Sequence, residues 1–295
     1  MKFKVQTPGS KTTLLAALLA ALGTANCGAQ LSHYYNFTTG SANDQVGTAN
    51  GVLEGTASLT GGALVTTGTL GTLSGGVPSN GLMLPSTAVA GITGAFTLEC
   101  WYQVVYNGGY CTSFSFSDGT TANYVLATPA RGNFPYASSI SVVGGGGSYT
   151  GPGDTEASGI YQDNGALHEM VVTYDGNTLS YYQDGSLANY PQQTGSTIEP
   201  TIVDPGLNLS SLTDIGIAGG SPWGDNSVNG QTFSFAIFDQ SLSASQVASL
   251  YSLGDSASTT QVVSVVPEPG TLTLSALGGM GLLLWRRRST MSQRA

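Results

Sequence analysis

Apolar and polar positions alternate with period two along most of the chain. Runs at 33–37, 96–105, 124–127, 138–143, 168–174, 179–184, 214–218 and 231–238 follow this pattern, separated by stretches of Gly, Asn, Asp and Pro. Successive side chains of a strand point to opposite faces, so the alternation predicts strands with a buried face. Asp175-Gly176-Asn177 falls between two runs and predicts a hairpin turn, because Gly and Asn accept positive φ. Asp184-Gly185 predicts a second. Strands joined by tight turns pair antiparallel, and many of them pack as two facing sheets.

One stretch changes period. Ser243-Ala244-Ser245-Gln246 has the spacing of a capping box, and Val247, Leu250 and Tyr251 follow on one helical stripe. Gly254 is placed to close that helix. Residues 255–265 (DSASTTQVVSV) are small and polar, and read as a linker. The predicted sandwich domain is therefore 30–254, with one short helix packed on it.

The two ends have a different character. Residues 1–29 combine Lys2, Lys4 and Lys11 with an apolar stretch at 13–23 (TLLAALLAALG) and small residues after it. That is the build of a cleavable signal peptide and predicts Sec export. Cleavage after Ala25 and after Ala29 both fit. Residues 266–295 contain Pro267-Glu268-Pro269, an apolar stretch at 271–285 and the cluster Arg286-Arg287-Arg288. As a helix 271–285 would be about 22 Å long, short of a hydrocarbon core of ~30 Å, and the arginines would hold its end on the cytoplasmic side. The prolines keep the chain before it extended.

The order of these three features resembles the PEP-CTERM sorting signal of Gram-negative bacteria. The resemblance implies that an exosortase recognises Pro267, Glu268 and Pro269 and processes the protein during export. It also implies transient anchoring in the inner membrane through the C-terminal helix, with Arg286, Arg287 and Arg288 as cytoplasmic anchor. The destination would be the cell surface or extracellular matrix.

Charge narrows the partners. Between Gln30 and Val266 the only basic residue is Arg131, against sixteen Asp and Glu, a balance of 1 − 16 = −15. Nucleic acid binding needs Lys and Arg along the phosphates and is excluded as an expectation. Forty-two glycines suit a turn-rich β protein, and fourteen tyrosines with 40% hydrophobic residues argue against disorder.

The middle of the chain carries a second resemblance. His33-Tyr34-Tyr35-Asn36-Phe37 with Ala42-Asn43-Asp44 looks like an opening strand of LamG-like, concanavalin A-like jelly rolls. Phe96-Thr97-Leu98-Glu99-Cys100-Trp101 resembles their central strand. The stretch His168 to Gly176 with Tyr181-Tyr182-Gln183-Asp184-Gly185 is similar to their diagnostic hairpin. Gly230-Gln231 through Ile237-Phe238, then Leu242-Ser243-Ala244 and Leu250-Tyr251, matches their closing strand and helix. Phe235-Ala236 and Cys100 depart from the family pattern. The fold implied is an all-β, antiparallel, two-sheet jelly-roll sandwich.

The resemblance implies ligands at loop rims or on the concave sheet, in some members with calcium. Asp44, Asp118, Trp223 and Asp225 are the rim candidates, with Trp223 able to stack on a sugar face. Cys100 and Cys111 are the cysteines left after signal removal, and the sequence leaves a disulfide between them open. Catalysis finds little support. No Glu is followed two residues later by Asp, as in the strand motifs of glycosidase relatives, and Glu99, Glu169 and Asp184 read as isolated acids. Asp154 and Glu156 lie in a Gly- and Pro-rich stretch read as a solvated loop. There is no Gly-x-Ser-x-Gly elbow, and His33 and His168 are too few for a zinc site, with His168 read as structural. The expected function is a non-catalytic, exported domain that binds carbohydrate or protein. The alternatives are a secreted glycosidase or polysaccharide lyase, and a purely structural surface component.

Overall fold

All eight period-two runs are strands in a computed structural model of the chain. The structure describes residues 30–266 apart from 70–71, 75–76, 106–109, 131–136, 144–154, 161, 163, 190–199 and 205. The signal segment, Pro267-Glu268-Pro269, the apolar stretch after it and the arginine cluster lie outside the described residues.

Two antiparallel sheets face each other, as the alternation requires. The nine-stranded sheet centres on Phe96–Val105, flanked by Asn164–Tyr174 and Asn229–Phe238. Leu31–Asn36 and Ala63–Thr67 share the far side of Asn229–Phe238, each pairing with one half of it. A bulge between Thr232 and Ser234 marks the place where the partner changes. The seven-stranded sheet runs from Thr155–Ile160 through Ala137–Val143, Tyr124–Thr128, Phe114–Ser117, Asp214–Ile217 and Gly81–Leu84 to Val52–Glu54. Glu156 therefore stands on an edge strand, where the glycine-rich sequence suggested a loop.

Alternation decides what each face buries. Phe96, Leu98, Cys100, Tyr102 and Val104 point from the central strand into the space between the sheets. Phe114, Phe116, Val125, Ala127, Ile140 and Val142 come to meet them. Phe235 stands 5.3 Å from Phe114 and 6.0 Å from Phe116, ring centre to ring centre. Each such side chain contributes about 1.5–3 kcal/mol by leaving water.

The turns follow the sequence. Gly176 has φ +99°, and the Asp175 carboxylate accepts from the amides of Asn177 and Thr178 at 2.9 and 2.8 Å. Asp184 and Gly185 take φ +48° and +76°, left-handed at both central positions as a type I′ hairpin requires.

Helix α1 (Ala244–Leu253) has the expected capping box, with Ser243 and Gln246 each satisfying the other's backbone amide. Residues 255–265, expected to be a linker, are instead largely helical: α2 (Thr259–Val265) has its own box from Ser258 and Gln261. The physical reason is Val262 and Val266 at i, i+4, which form one apolar stripe and are both buried. The domain thus carries two short helices, not one. Both pack with Leu31, Tyr34, Val171, Ala236 and Phe238, covering the outer face of the nine-stranded sheet.

Candidate functional site

The outer faces of the two sheets carry the polar chemistry. On the seven-stranded sheet the residues between the core positions are mostly hydroxylic: Ser115, Ser117, Ser139 and Ser141, with Tyr124, Leu126 and Val143 between them. After Ile217 the chain turns back sharply, with Ala218 at φ +63°. It then crosses this face at Gly216. Any Cβ on Gly216 would strike the Gly219 carbonyl, and one on Gly220 would lie 3.1 Å from Gly216 Cα. Only glycine permits so close a backbone approach.

That crossing delivers Trp223 to the sheet. Its ring meets Tyr124 edge-on, with centroids 6.2 Å apart and planes at 87°. Tyr124 is wholly buried, whereas Trp223 keeps 47% of its surface exposed. The loop is stiffened from within. The Ser221 hydroxyl donates to Asp225 Oδ2 at 2.7 Å and accepts from the Trp223 amide at 3.2 Å. Trp223 and Asp225 are therefore held in one loop through Ser221, with the indole half exposed.

Asp118 occupies the neighbouring turn. Its Oδ1 accepts from the Thr120 amide at 2.9 Å and the Thr120 hydroxyl at 2.6 Å, fixing the 118–123 connection at whose base Tyr124 stands. Asp44 stands elsewhere, beside the opening strand of the nine-stranded sheet. Oδ1 accepts from the amides of Tyr34 and Val46 at 3.2 and 3.1 Å. Oδ2 accepts from the Ala49 amide at 3.1 Å and lies 2.6 Å from His33 Nδ1. Burial would raise the Asp44 carboxyl, but His33 and the surrounding amides outweigh it and hold it below the usual range. So Trp223 and Asp225 share one loop over Tyr124, Asp118 shapes the turn that leads into Tyr124, and Asp44 stands apart with both carboxylate oxygens bound by the chain.

The outer face of the nine-stranded sheet holds a constellation that sequence spacing concealed. Glu99 and Glu169, read as isolated, occupy outward positions on adjacent strands, each raising the demand for a proton on the pair, and Glu169 Oε1 is buried without a hydrogen-bond partner. Glu169 is fully buried and Glu99 retains 4% exposure. Glu99 Oε1 accepts from Trp101 Nε1 at 3.0 Å, and Glu169 Oε2 from the Gly185 amide at 3.0 Å. Burial drives both carboxyls upward, Glu169 further because Glu99 stands beside it. The sequence signal was parity: both residues occupy outward positions on strands that neighbour each other. His168 braces the adjoining hairpin, with Nδ1 2.9 Å from Asp184 Oδ2 and Nε2 3.1 Å from Asn164 Oδ1.

Cys100 and Cys111 are both buried thiols in the structure, with no disulfide between them. Cys100 faces the core from the nine-stranded sheet, while Cys111 lies on the short Cys111–Thr112 strand leading into the opposite one. Burial pushes the Cys100 thiol up, which makes it a poor nucleophile. Among the described residues no group of three or more His, Cys, Asp or Glu could hold a metal ion. No helix among them is long and apolar enough to cross a membrane.

Comparison with known proteins agrees with this geometry. The model of the concanavalin A-like lectin/glucanases superfamily (Laminin_G_3) matches residues 74–248, and that of the PEP-CTERM protein-sorting motif matches 265–288. No curated protein matches the sequence. Among solved structures, domain 4 of a Geobacillus stearothermophilus extracellular arabinanase, solved with arabinotriose, superposes with a TM-score of 0.50 at 16% identity, covering 76% of this chain and 99% of that one. The binding domain of botulinum neurotoxin serotype G gives 0.53 at 14%, covering 76% and 51%. A Trypanosoma rangeli sialidase solved with sialic acid gives 0.51 at 13%, covering 85% and 40%. At these identities the likeness is one of fold.

Proposed function

The chain belongs to the concanavalin A-like lectin/glucanase superfamily and carries a PEP-CTERM sorting motif, and on that premise we propose that it is an exported surface or matrix protein whose sandwich binds carbohydrate without cleaving it. A sorting motif of this kind implies export with a transient membrane stage and processing by an exosortase. The observation that carries the binding reading is Trp223, an indole held half-open on the outer face of the seven-stranded sheet and braced by Tyr124. Flat aromatic faces at such rims take the apolar face of a sugar ring. The charge around it favours an uncharged glycan. Asp225 shares the loop of Trp223, Asp118 shapes the turn into Tyr124, and no lysine or arginine stands among the described residues to meet an anion.

The non-catalytic reading rests on access. Glycoside hydrolysis needs two carboxyls reaching a bond from either side. Glu99 and Glu169 are brought together, but both are sealed beneath the helices. Titration of the full chain with a panel of neutral and anionic glycans tests the proposal. Binding of a neutral member, lost in Trp223→Ala and unchanged by EDTA, is the expected result. Loss with EDTA would place a cation in the site. Reducing-sugar release abolished by a carboxylate change would replace a lectin with a hydrolase. Deleting 267–295 should release the protein from cells, and unchanged cell association would remove the anchoring role of that segment.

A further inference from the structure

The outer face of the nine-stranded sheet buries two acids, and no described lysine or arginine compensates them. Two carboxylates cannot both be charged in so dry a place, so the closed face requires at least one proton between them. Above them sits the cover. Trp101, which donates to Glu99, is stacked on Tyr251 of α1 at 5.5 Å with planes 4° apart. A Cβ on Gly185, whose amide binds Glu169, would come within 2.8 Å of Tyr251 Cβ, so α1 presses directly on that turn. The join between α1 and α2 is tied to the same face: Tyr34 Oη and Asn36 Nδ2 both donate to the Ala257 carbonyl, at 2.7 and 3.1 Å. Helix α2 ends at Val265, and the buried Val266 follows it, so the sorting motif at 265–288 begins in the docked stretch.

We propose that the Glu99–Glu169 pair is a proton-dependent latch, which holds α1 and α2 on the sheet while one carboxyl is protonated and releases them when both ionise. The groups around the pair come from every neighbouring element: Trp101 from the Glu99 strand, Asp184 and the Gly185 amide from the hairpin, Tyr34 from the opening strand and Tyr251 from α1, stacked on Trp101; His168 binds Asp184, and Asp255 at the helix junction acts on Tyr34. The acid that acts on the pair, Asp184, adds negative charge and so opposes full ionisation. Opening hydrates both carboxyls and lets the shared proton leave to water. Each proton the closed pair holds is released on opening, so the opening constant should rise at least about tenfold per pH unit while the closed pair keeps a proton. The helices would then free the first residues of the sorting motif from the domain.

The test is hydrogen exchange with mass spectrometry on the full chain in detergent, followed from mildly acidic to mildly alkaline pH. Protection factors remove the intrinsic rate change of the amides. In the wild type, protection of α1 and α2 should fall with that slope while the Tyr124–Thr128 strand keeps its protection. Glu169→Gln supplies a permanent N–H toward Glu99 and still accepts from Gly185, so its α1 and α2 protection should be flat with pH. If that variant does not fold, Glu99→Gln makes the same test from the other side. Helices whose protection falls no faster with pH than that of the core strand, or a wild-type slope retained in the glutamine variant, would overturn the latch.

Discussion

The outer faces of the two sheets begin from the same constraint and reach opposite solutions. Both alternate with core positions, so both are free of the inter-sheet packing. On the nine-stranded sheet the free positions include Tyr34, Trp101, Val171 and Phe238, and the chain spends two helices to cover them. On the seven-stranded sheet they are largely serines, themselves buried, and among the described residues a glycine-rich crossing passes over them and leaves an indole half-exposed. Large apolar groups on an outer face call for a lid, whereas on the serine face the exposed group is the Trp223 indole at its edge. One face is a structural device and the other is the candidate binding surface.

Substitutions on the two faces should therefore separate cleanly. Trp101→Ala removes a buried indole and its stack with Tyr251, and should cost about 3–5 kcal/mol in denaturant unfolding; a cost near zero would show that the helical cover contributes little. Asp44→Ala leaves the buried amides of Tyr34 and Ala49 unpaired and should cost about 1–3 kcal/mol per orphaned group. Its pH signature has a definite sign. The folded carboxyl lies below its unfolded value, so its stabilisation is present above the unfolded pKa and is lost as pH falls through the folded one. Wild type and Asp44→Ala should converge in acid, and parallel pH–stability curves would contradict that assignment. Gly176→Val forces a β-branched residue to φ +99° at a turn with open space around it. Backbone strain alone then acts, and a melting shift equivalent to about 1–2 kcal/mol is expected. Trp223→Ala is the control from the other face: stability within about 0.5 kcal/mol of wild type, with glycan binding lost. A large fall in melting temperature there would make Trp223 a structural pin.

What sequence reading missed follows the same division. The linker at 255–265 was misread because its composition is polar, while its Val262 and the following Val266, at helical spacing, bury only when a sheet face is offered to them. Glu99 and Glu169 looked isolated because they are far apart along the chain. Antiparallel pairing of their strands sets Val171 opposite Glu99 and Glu169 opposite Trp101, which puts both acids on one face. Asp44 and Trp223 were indistinguishable as rim candidates until backbone amides were found to surround the first.

The sequence by itself determined eight of the strands, though not Phe114–Ser117 or Gly81–Leu84, with both hairpin turns, the capped helix α1 and the two-sheet class, because period-two alternation, positive-φ residues and capping boxes act over a few neighbouring positions. Only the tertiary structure decided which outward face received a lid, which acids met, and which aromatic stayed open. Those outcomes depend on strand order and on where loops cross, and residues hundreds of positions apart share in them.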